Sequence, residues 1–219
     1  MARRQSGKPL WTAVDTYLGD LFAAHDEQLD AALKANRKAG LPAIDVSPLQ
    51  GKFLRGNHDQ ALLDFIEDPL RYETWCDFGA DETLTSYDVR PPRDHSANAL
   101  VEARERFAGA FPSEHLRFFE SLLLSCELGD YFFAHAGVRP GTPLSEQKEE
   151  DLLWIREEFL RSSEDFGKVV VHGHTPTDSP VKRANRIGID TGAYLTGRLT
   201  AVALEGHSQR FLQTGRRPG

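Results

Sequence analysis

The segment Leu54-Arg55-Gly56-Asn57-His58-Asp59 sets an amide, an imidazole and a carboxylate side by side, directly after a glycine. It lies where the apolar pair Phe53-Leu54 gives way to a helical pattern over residues 62–66. If that pair ends a strand, Gly56 permits a sharp turn, and the polar side chains leave from the strand's carboxyl end, where open α/β sheets place their ligands. The segment predicts a strand-to-helix unit that carries a functional site. The alternative is an ordinary turn, because Asn, Gly and Asp are common turn residues.

The composition bounds the class of protein. A chain of 219 residues, 40% hydrophobic and with 13 Phe, can bury a core as one domain over residues 1–219. Residues 70–127 could form a helical cap subdomain within it. The net charge of −7 argues against nucleic acid as a partner, since binding to a phosphate backbone depends on clustered positive charge.

The location of the protein is predicted from its thiols and its apolar runs. Two cysteines in unrelated contexts favour a reducing compartment, and the apolar runs are too short for a signal peptide or a bilayer span. We expect a cytoplasmic protein without membrane contact. The sequence does not indicate its oligomeric state.

Hydrophobic patterning predicts a mixture of helices and short strands. A helix begins at Asp26, another ends near Pro69, and residues 75–87 are typical of a loop. Helices are predicted over residues 100–111, 113–124 (with Ser113 as a cap) and 145–162. Buried strands are predicted over residues 131–134 and 168–171, and residues 186–190, 199–204 and 210–213 indicate a closing antiparallel meander.

Three apolar strands end in imidazole or amide side chains with a glycine close by: Asn57-His58, His135, and His172 with His174. The amide oxygen of Asn suits a hard or borderline cation, and a neighbouring His can donate a proton to a leaving group. Any one of these histidines could be a buried core residue with a backbone partner, but the recurrence at three strand ends favours a metal site. Arg156 and Arg139 could hold an anionic substrate, although Arg156 could also be a solvated helix charge.

Several motifs in order resemble the phosphoprotein phosphatase family, the bacterial serine/threonine type of the calcineurin-like metallophosphoesterases. They are Arg55-Gly-Asn-His-Asp59, His135-Ala-Gly137, Leu153-Trp-Ile-Arg156, Gly173-His-Thr-Pro176 and Ile189-Asp-Thr-Gly192. The resemblance implies that Asn57, His135 and His174 bind one metal ion and that His58 is the general acid. It also implies phosphate binding by Arg156, and Asp59 is counted with the catalytic residues.

The front of the chain departs from this pattern. The family opens with Gly-Asp-x-His-Gly and then Gly-Asp-x-x-Asp-Arg-Gly, and the chain offers only Gly19-Asp20 for either. As the second motif, it would make Asp20 the bridging carboxylate, with Ala23 and Ala24 in place of the family's Asp and Arg. A surface turn is the alternative for Gly19-Asp20. Asp45 could substitute for part of the missing carboxylates.

The predicted fold is an α/β layered sandwich of mixed sheets flanked by helices, with the first βα unit missing or rebuilt. The resemblance implies metal-dependent hydrolysis of phosphomonoesters in phosphoproteins or small molecules, with manganese as the expected divalent metal and iron or zinc as alternatives. Two ions are expected if the site is intact, and one or none if it is not. The alternatives are a phosphatase-like scaffold without turnover and a hydrolase of dinucleoside polyphosphates.

Overall fold

The computed structural model describes residues 53–205 and 208–214, which belong to a compact unit beginning at Phe53. The predicted helix from Asp26 and the candidate ligands Asp20 and Asp45 lie outside the described residues. Within the described part of the chain, no helix has the length and apolar character needed to cross a bilayer.

The opening segment folds as a strand-to-helix unit. Leu54 makes a parallel β-bridge with Leu123, and the Arg55 amide donates to the Leu123 carbonyl at 2.8 Å. Gly56 is extended (φ −93°, ψ 167°), and helix α1 (Asn57–Glu67) begins at the next residue. The Asp59 carboxylate accepts a hydrogen bond from the Gly56 amide at 2.7 Å, which fixes the first turn of the helix as in a capping box.

A helical segment with its own aromatic core follows α1. Its elements are a 3₁₀ turn at Pro69–Arg71, α2 (Tyr72–Cys76), α3 (Ala80–Ser86), α4 (Ala97–Ala110) and α5 (Ser113–Ser121). Phe65, Tyr72, Trp75 and Phe107 are fully buried, and five pairs of their rings lie 5.2–6.2 Å apart. Each such ring pair contributes roughly 0.5–1.5 kcal/mol beyond the burial of its area.

Two predictions in this segment are wrong. The loop predicted over residues 75–87 contains the end of α2 and all of α3, and these helices, with 5 and 7 residues, are too short to show an apolar period. Ser113 is the first residue of α5 and not its cap, which is Pro112, and the helix ends at Ser121 instead of residue 124.

The sheet brings the later strands into one layer. Its strands are β1 (Ser125–Leu128), β2 (Tyr131–Ala134), β3 (Val169–His172), β4 (Val181–Lys182) and β5 (Arg186–Gly188), in the order β1-β2-β3-β5-β4. The central strands β2, β3 and β5 are parallel, and β1 and β4 pair antiparallel at the edges. Because parallel strands end at the same edge, β2 and β3 deliver the residues after them to one place.

The prediction of a meander from residue 186 is wrong in its first part. Residues 186–188 form β5, which pairs in parallel with β3, so that Val170 lies opposite Arg186. The rest of the prediction is confirmed: after α8 (Ala193–Thr196), β6 (Thr200–Glu205) and β7 (Ser208–Gln213) form an antiparallel pair.

The predicted helix over residues 145–162 is broken into three pieces. A 3₁₀ turn covers Leu144–Glu146, α6 covers Glu149–Trp154 and α7 covers Glu157–Arg161, with Arg156 between the helices at φ −130° and ψ −99°. These helices cover β2 and β3 through a buried cluster: Phe132, Ala134, Ala136, Val138, Leu152, Ile155, Phe159 and Val170. The mixed α/β fold with helices against a mixed sheet is therefore confirmed.

Candidate metal centre and its surroundings

Three side-chain donors converge at the carboxyl edge of the sheet. Asn57 Oδ1 lies 2.8 Å from His135 Nε2, which lies 3.1 Å from His174 Nδ1. The amide comes from the first turn of α1, and the imidazoles come from the residues after β2 and β3. The structure thus brings together residues that are far apart in sequence, on three rigid elements.

His174 is held by a tight and uncommon backbone turn. Its φ of 64° is positive, which is unusual for a residue with a side chain, and the Thr175 amide bonds across it to the Gly173 carbonyl at 2.7 Å. The Gly173 amide in turn donates to the His135 carbonyl at 2.8 Å. This backbone bond ties the two histidine loops together and aims both rings at one point.

Gly56 allows the His135 ring to lie against the start of α1. A Cβ at Gly56 would lie 3.1 Å from His135 Cε1 and 3.2 Å from His135 Nδ1, closer than ordinary van der Waals contact. The backbone of Gly56 is extended and would accept any residue. Glycine is therefore required here by the close approach of the ring and not by its torsion angles.

Burial keeps the imidazoles neutral. Burial is the main reason why the pKa of His135 is lowered to about 4. The charges of His58 and Arg156 lower this pKa further, and the charge of Asp190 raises it. Burial likewise lowers the pKa of His174 to about 4, followed by the charge of Arg156. At neutral pH both rings are thus uncharged, and neutral imidazole is the form that binds metal ions.

The donor set fits a divalent cation. An ion with bonds of about 2.1 Å holds neighbouring ligands at right angles roughly 3.0 Å apart, and the observed separations of 2.8 and 3.1 Å match this spacing. Among the described residues no group of three or more His, Cys, Asp or Glu side chains has metal-binding spacing, because one of the three donors here is an amide. The charge of such a cation is left unbalanced by these neutral ligands.

His58 and His174 lie at the two ends of a run of aromatic rings. The exposed His58 ring is 5.0 Å from Phe78, Phe78 is 5.0 Å from Trp154, and Trp154 is 6.0 Å from His174. Burial lowers the pKa of His58, while the adjacent Asp59 charge raises it. The Asp59 carboxylate itself is bonded to the Gly56 amide, so it acts on His58 through its charge.

The two arginines singled out in the sequence have different surroundings. Arg139 is bonded to the buried Asp151 at 2.8 Å and to Glu158, so its charge is already neutralised. Arg156 is exposed and reaches the carbonyl of His174 and the hydroxyl of Thr175, both at 3.4 Å. Its guanidinium has no carboxylate partner among the described residues and lies beside the converging donors.

Sequence reasoning did not assign a role to three residues that surround the donors. Phe78 and Trp154 form the aromatic run, and Asp190 raises the pKa of both His135 and His172. Trp154 and Asp190 lie inside motifs already quoted, Leu153-Trp-Ile-Arg156 and Ile189-Asp-Thr-Gly192, which was the available signal. Phe78 is in a segment predicted as loop and gave none.

Comparison with known proteins gives one short and two long similarities. Over 46 residues the chain is 48% identical to a catechol O-methyltransferase of Niastella koreensis, which is 21% of this chain and 21% of that protein. The chain thus spans about a fifth of the length of this curated relative. A solved structure of a candidate diadenosine tetraphosphatase aligns with 85% of this chain and 74% of its own, at 16% identity and a TM-score of 0.48.

The family match covers most of the chain. Residues 4–208 match the family described as calcineurin-like phosphoesterase, a group of hydrolases that use divalent metals. The match begins well before Arg55, the start of the first motif that resembles the family, so the likeness includes the front of the chain. The fold and the long family match lead to one conclusion: this chain belongs to the calcineurin-like phosphoesterase family.

Proposed function

We propose that the protein is a metal-dependent phosphomonoester hydrolase of the serine/threonine phosphoprotein phosphatase type. The observation that carries the proposal is that Asn57 Oδ1 and His174 Nδ1 lie 2.8 and 3.1 Å from His135 Nε2, beside the guanidinium of Arg156, which has no carboxylate partner in the described part of the chain. Family membership supports phosphoester hydrolysis, and the motifs around Asn57 and His174 support the phosphatase type.

Asn57, His135 and His174 would hold a divalent ion, with manganese as the first choice and iron or zinc as alternatives. When bound, such an ion polarises the phosphoryl oxygens and lowers the pKa of water. Asp20 would be the bridging carboxylate toward a second ion. Three neutral ligands without that carboxylate would bind a cation weakly, so tight binding of the metal requires Asp20 as a further ligand.

The chain's own residues supply substrate binding and proton transfer. The Arg156 guanidinium would bind the phosphoryl oxygens, since its planar set of donors matches their geometry. His58 would donate a proton to the leaving oxygen; burial lowers its pKa, and the charge of Asp59 acts in the opposite direction, toward the charged imidazole. The partner is a phosphoprotein or a small phosphoester in the cytoplasm.

Two other functions are each favoured by one observation. A scaffold that binds phosphate without turnover is favoured by the lack of a carboxylate among the three donors in the described residues. A dinucleoside polyphosphate hydrolase is favoured by the half-buried rings of Phe78 and Trp154 near His58 and His174, because bases stack on aromatic side chains.

A pair of variants tests the proposal. His58→Ala should lower turnover of a phosphoserine peptide by about 10²–10⁴-fold and leave the stoichiometry of bound manganese unchanged, whereas His95→Ala, at an exposed histidine beside Glu73, should change neither. Metal content is measured by elemental analysis after equilibration with manganese. Loss of manganese in His58→Ala would refute the assigned role of this residue.

Assays of the unaltered protein on three substrates distinguish the three functions. Hydrolysis of p-nitrophenyl phosphate and of the phosphopeptide supports the phosphatase, and faster hydrolysis of diadenosine tetraphosphate supports the second enzyme. No hydrolysis together with one manganese ion or none supports the scaffold.

A further inference from the structure

A pocket of about 330 Å³ lies between the end of α7 and the turn from β4 to β5. Its lining comes from two short segments, residues 160–163 and residues 183–186. Among the described residues that line it, three of eight are arginines and none is acidic: Leu160, Arg161, Ser162, Ser163, Arg183, Ala184, Asn185 and Arg186. In a chain whose net charge is −7, this local excess of positive charge calls for an explanation.

The pocket lies at the opposite end of the sheet from the candidate metal centre. Arg186 begins β5 and lies opposite Val170, near the beginning of β3. His174 follows the other end of β3, beyond His172. An anion in this pocket therefore cannot also contact the converging donors.

Arg186 is a buried cation that is held in place by neutral groups. The residue is 8% exposed, and its guanidinium donates to the carbonyls of Ser162 and Leu160 and to the amide oxygen of Asn185. It also lies 5.8 Å from the ring centre of Phe159. Its Nε is buried and finds no hydrogen-bond partner within residues 53–205 and 208–214, and burial followed by the charge of Arg183 lowers its pKa.

Carboxylates near the pocket do not neutralise it. Among the ion pairs of the described residues, none involves Arg183 or Arg186. Arg161 pairs with Glu157 at 2.7 Å, but both side chains are largely exposed, and such a pair is weak enough to be exchanged for a ligand. The neighbouring Glu164 points its carboxylate at the Gly141 amide.

We propose that this pocket, which we call the arginine pocket, binds the phosphate group of a small molecule at a site separate from the metal centre. A phosphate monoester carries about −1.5 to −2 charges at neutral pH, which matches several guanidinium groups better than a carboxylate does. Arg161 and Arg183 would supply donors for its oxygens, the buried Arg186 would add its charge, and the hydroxyls of Ser162 and Ser163 would add further polar contacts. The volume leaves room for a group attached to the phosphate. The inference does not depend on the proposed hydrolysis.

The test is a titration of the full chain with inorganic phosphate, followed by backbone amide NMR, with sodium chloride at equal ionic strength as the reference. We expect saturable shifts of the amides at residues 161–163 and 183–186. In the double variant Arg161→Gln with Arg183→Gln, the apparent Kd should rise by about tenfold or more, because charged hydrogen bonds are lost. Arg186 is left intact because it caps the end of α7.

Three controls make the outcome decisive. Arg117→Gln, on the exposed face of α5, should leave the Kd within twofold, and the double variant should keep the activity of the unchanged protein on p-nitrophenyl phosphate. Glycerol 3-phosphate in place of phosphate shows whether free phosphate or a phosphorylated compound binds more tightly. The proposal is refuted if chloride produces the same shifts, if Arg117→Gln weakens binding equally, or if the shifts disappear in Arg156→Ala, which would place the anion at the metal centre.

Discussion

Replacing Gly56 by alanine tests whether His135 must occupy its observed position to bind metal. The new Cβ would lie 3.1 Å from His135 Cε1, whereas ordinary contacts begin at 3.4 Å, so the ring must retreat by about 0.3 Å. A metal bond tolerates errors of about 0.2 Å around its normal length. We therefore expect manganese to bind about tenfold more weakly, which is the lower end of what disturbed supporting contacts cost.

The fold should survive the same change. Gly56 has extended torsion angles that alanine adopts freely, and removing a glycine from the unfolded chain stabilises a protein by about 0.4–1 kcal/mol. This gain offsets part of the steric cost, so the free energy of unfolding should fall by less than about 1 kcal/mol. The loss of metal affinity is then a local effect.

Gly173→Ala is the matched control, since a Cβ there would meet Asp190 Cβ and the His135 carbonyl at ordinary distances of 3.7 Å. Manganese affinity is measured by isothermal titration calorimetry, and stability by urea unfolding followed by circular dichroism. If Gly56→Ala binds manganese as tightly as Gly173→Ala, then His135 is not held as a ligand in the observed position, and the reasoning fails.

Three other predictions concern stability and are read from urea unfolding. Gly137→Ala would set a Cβ against the buried Phe159 ring at a backbone φ of +154°, so the free energy of unfolding should fall by about 2–5 kcal/mol. Gly129→Ala is the control: its φ is +56° but its Cβ would lie in open space, so the free energy of unfolding should fall by only about 1 kcal/mol. Equal losses of stability in the two variants would show that the Phe159 ring moves aside at little cost and would contradict this prediction. Gly109→Ala meets nothing within 4 Å inside α4 and should stabilise the protein by about 0.5–1 kcal/mol; a loss of stability would contradict this. Burial lowers the pKa of His172 from 6.5 to about 4. Between pH 6.5 and pH 4 the unfolded chain therefore binds a proton at this residue that the folded chain does not bind. The free energy of unfolding, measured with a chelator present, should fall as the pH is lowered through this window. His172→Asn should weaken this dependence, and an unchanged slope would refute the assignment.

The elements that the sequence predicts correctly are those with strong local signals. The tract of valines in β3 is buried at three of its four positions, and the aromatic tract of β2 is buried at two of four and half-buried at the others. Uninterrupted apolar runs indicate buried parallel strands. Asn57 and His58 were placed correctly at the start of a helix, because Gly56 and the apolar period after it mark the boundary. These signals extend over only a few residues, which is why they can be read without the fold.

The errors arise where pairing or packing decides the structure. Residues 186–188 carry no mark that distinguishes a parallel partner of β3 from a strand of a meander, since the pairing depends on residues far away in the chain. The predicted helix breaks at Arg156, and no Pro or Gly at this position indicates the break. β1 was missed because Ser125-Cys-Glu-Leu128 is polar and mostly exposed, as an edge strand can be. At the site, the three donors could be predicted from the sequence, but the aromatic run beside them could not.

The long separation of the donors along the chain has a kinetic consequence. Asn57 and His135 are 78 residues apart, and His135 and His174 are 39 apart, so the proposed metal ligands meet only after two large loops have closed. Helices α1 to α5 form from local contacts and can precede that event, because short-range structure is faster than long-range pairing. During refolding, the capture of manganese should therefore lag behind the recovery of helical ellipticity, and a chelator added early should leave the first phase unchanged.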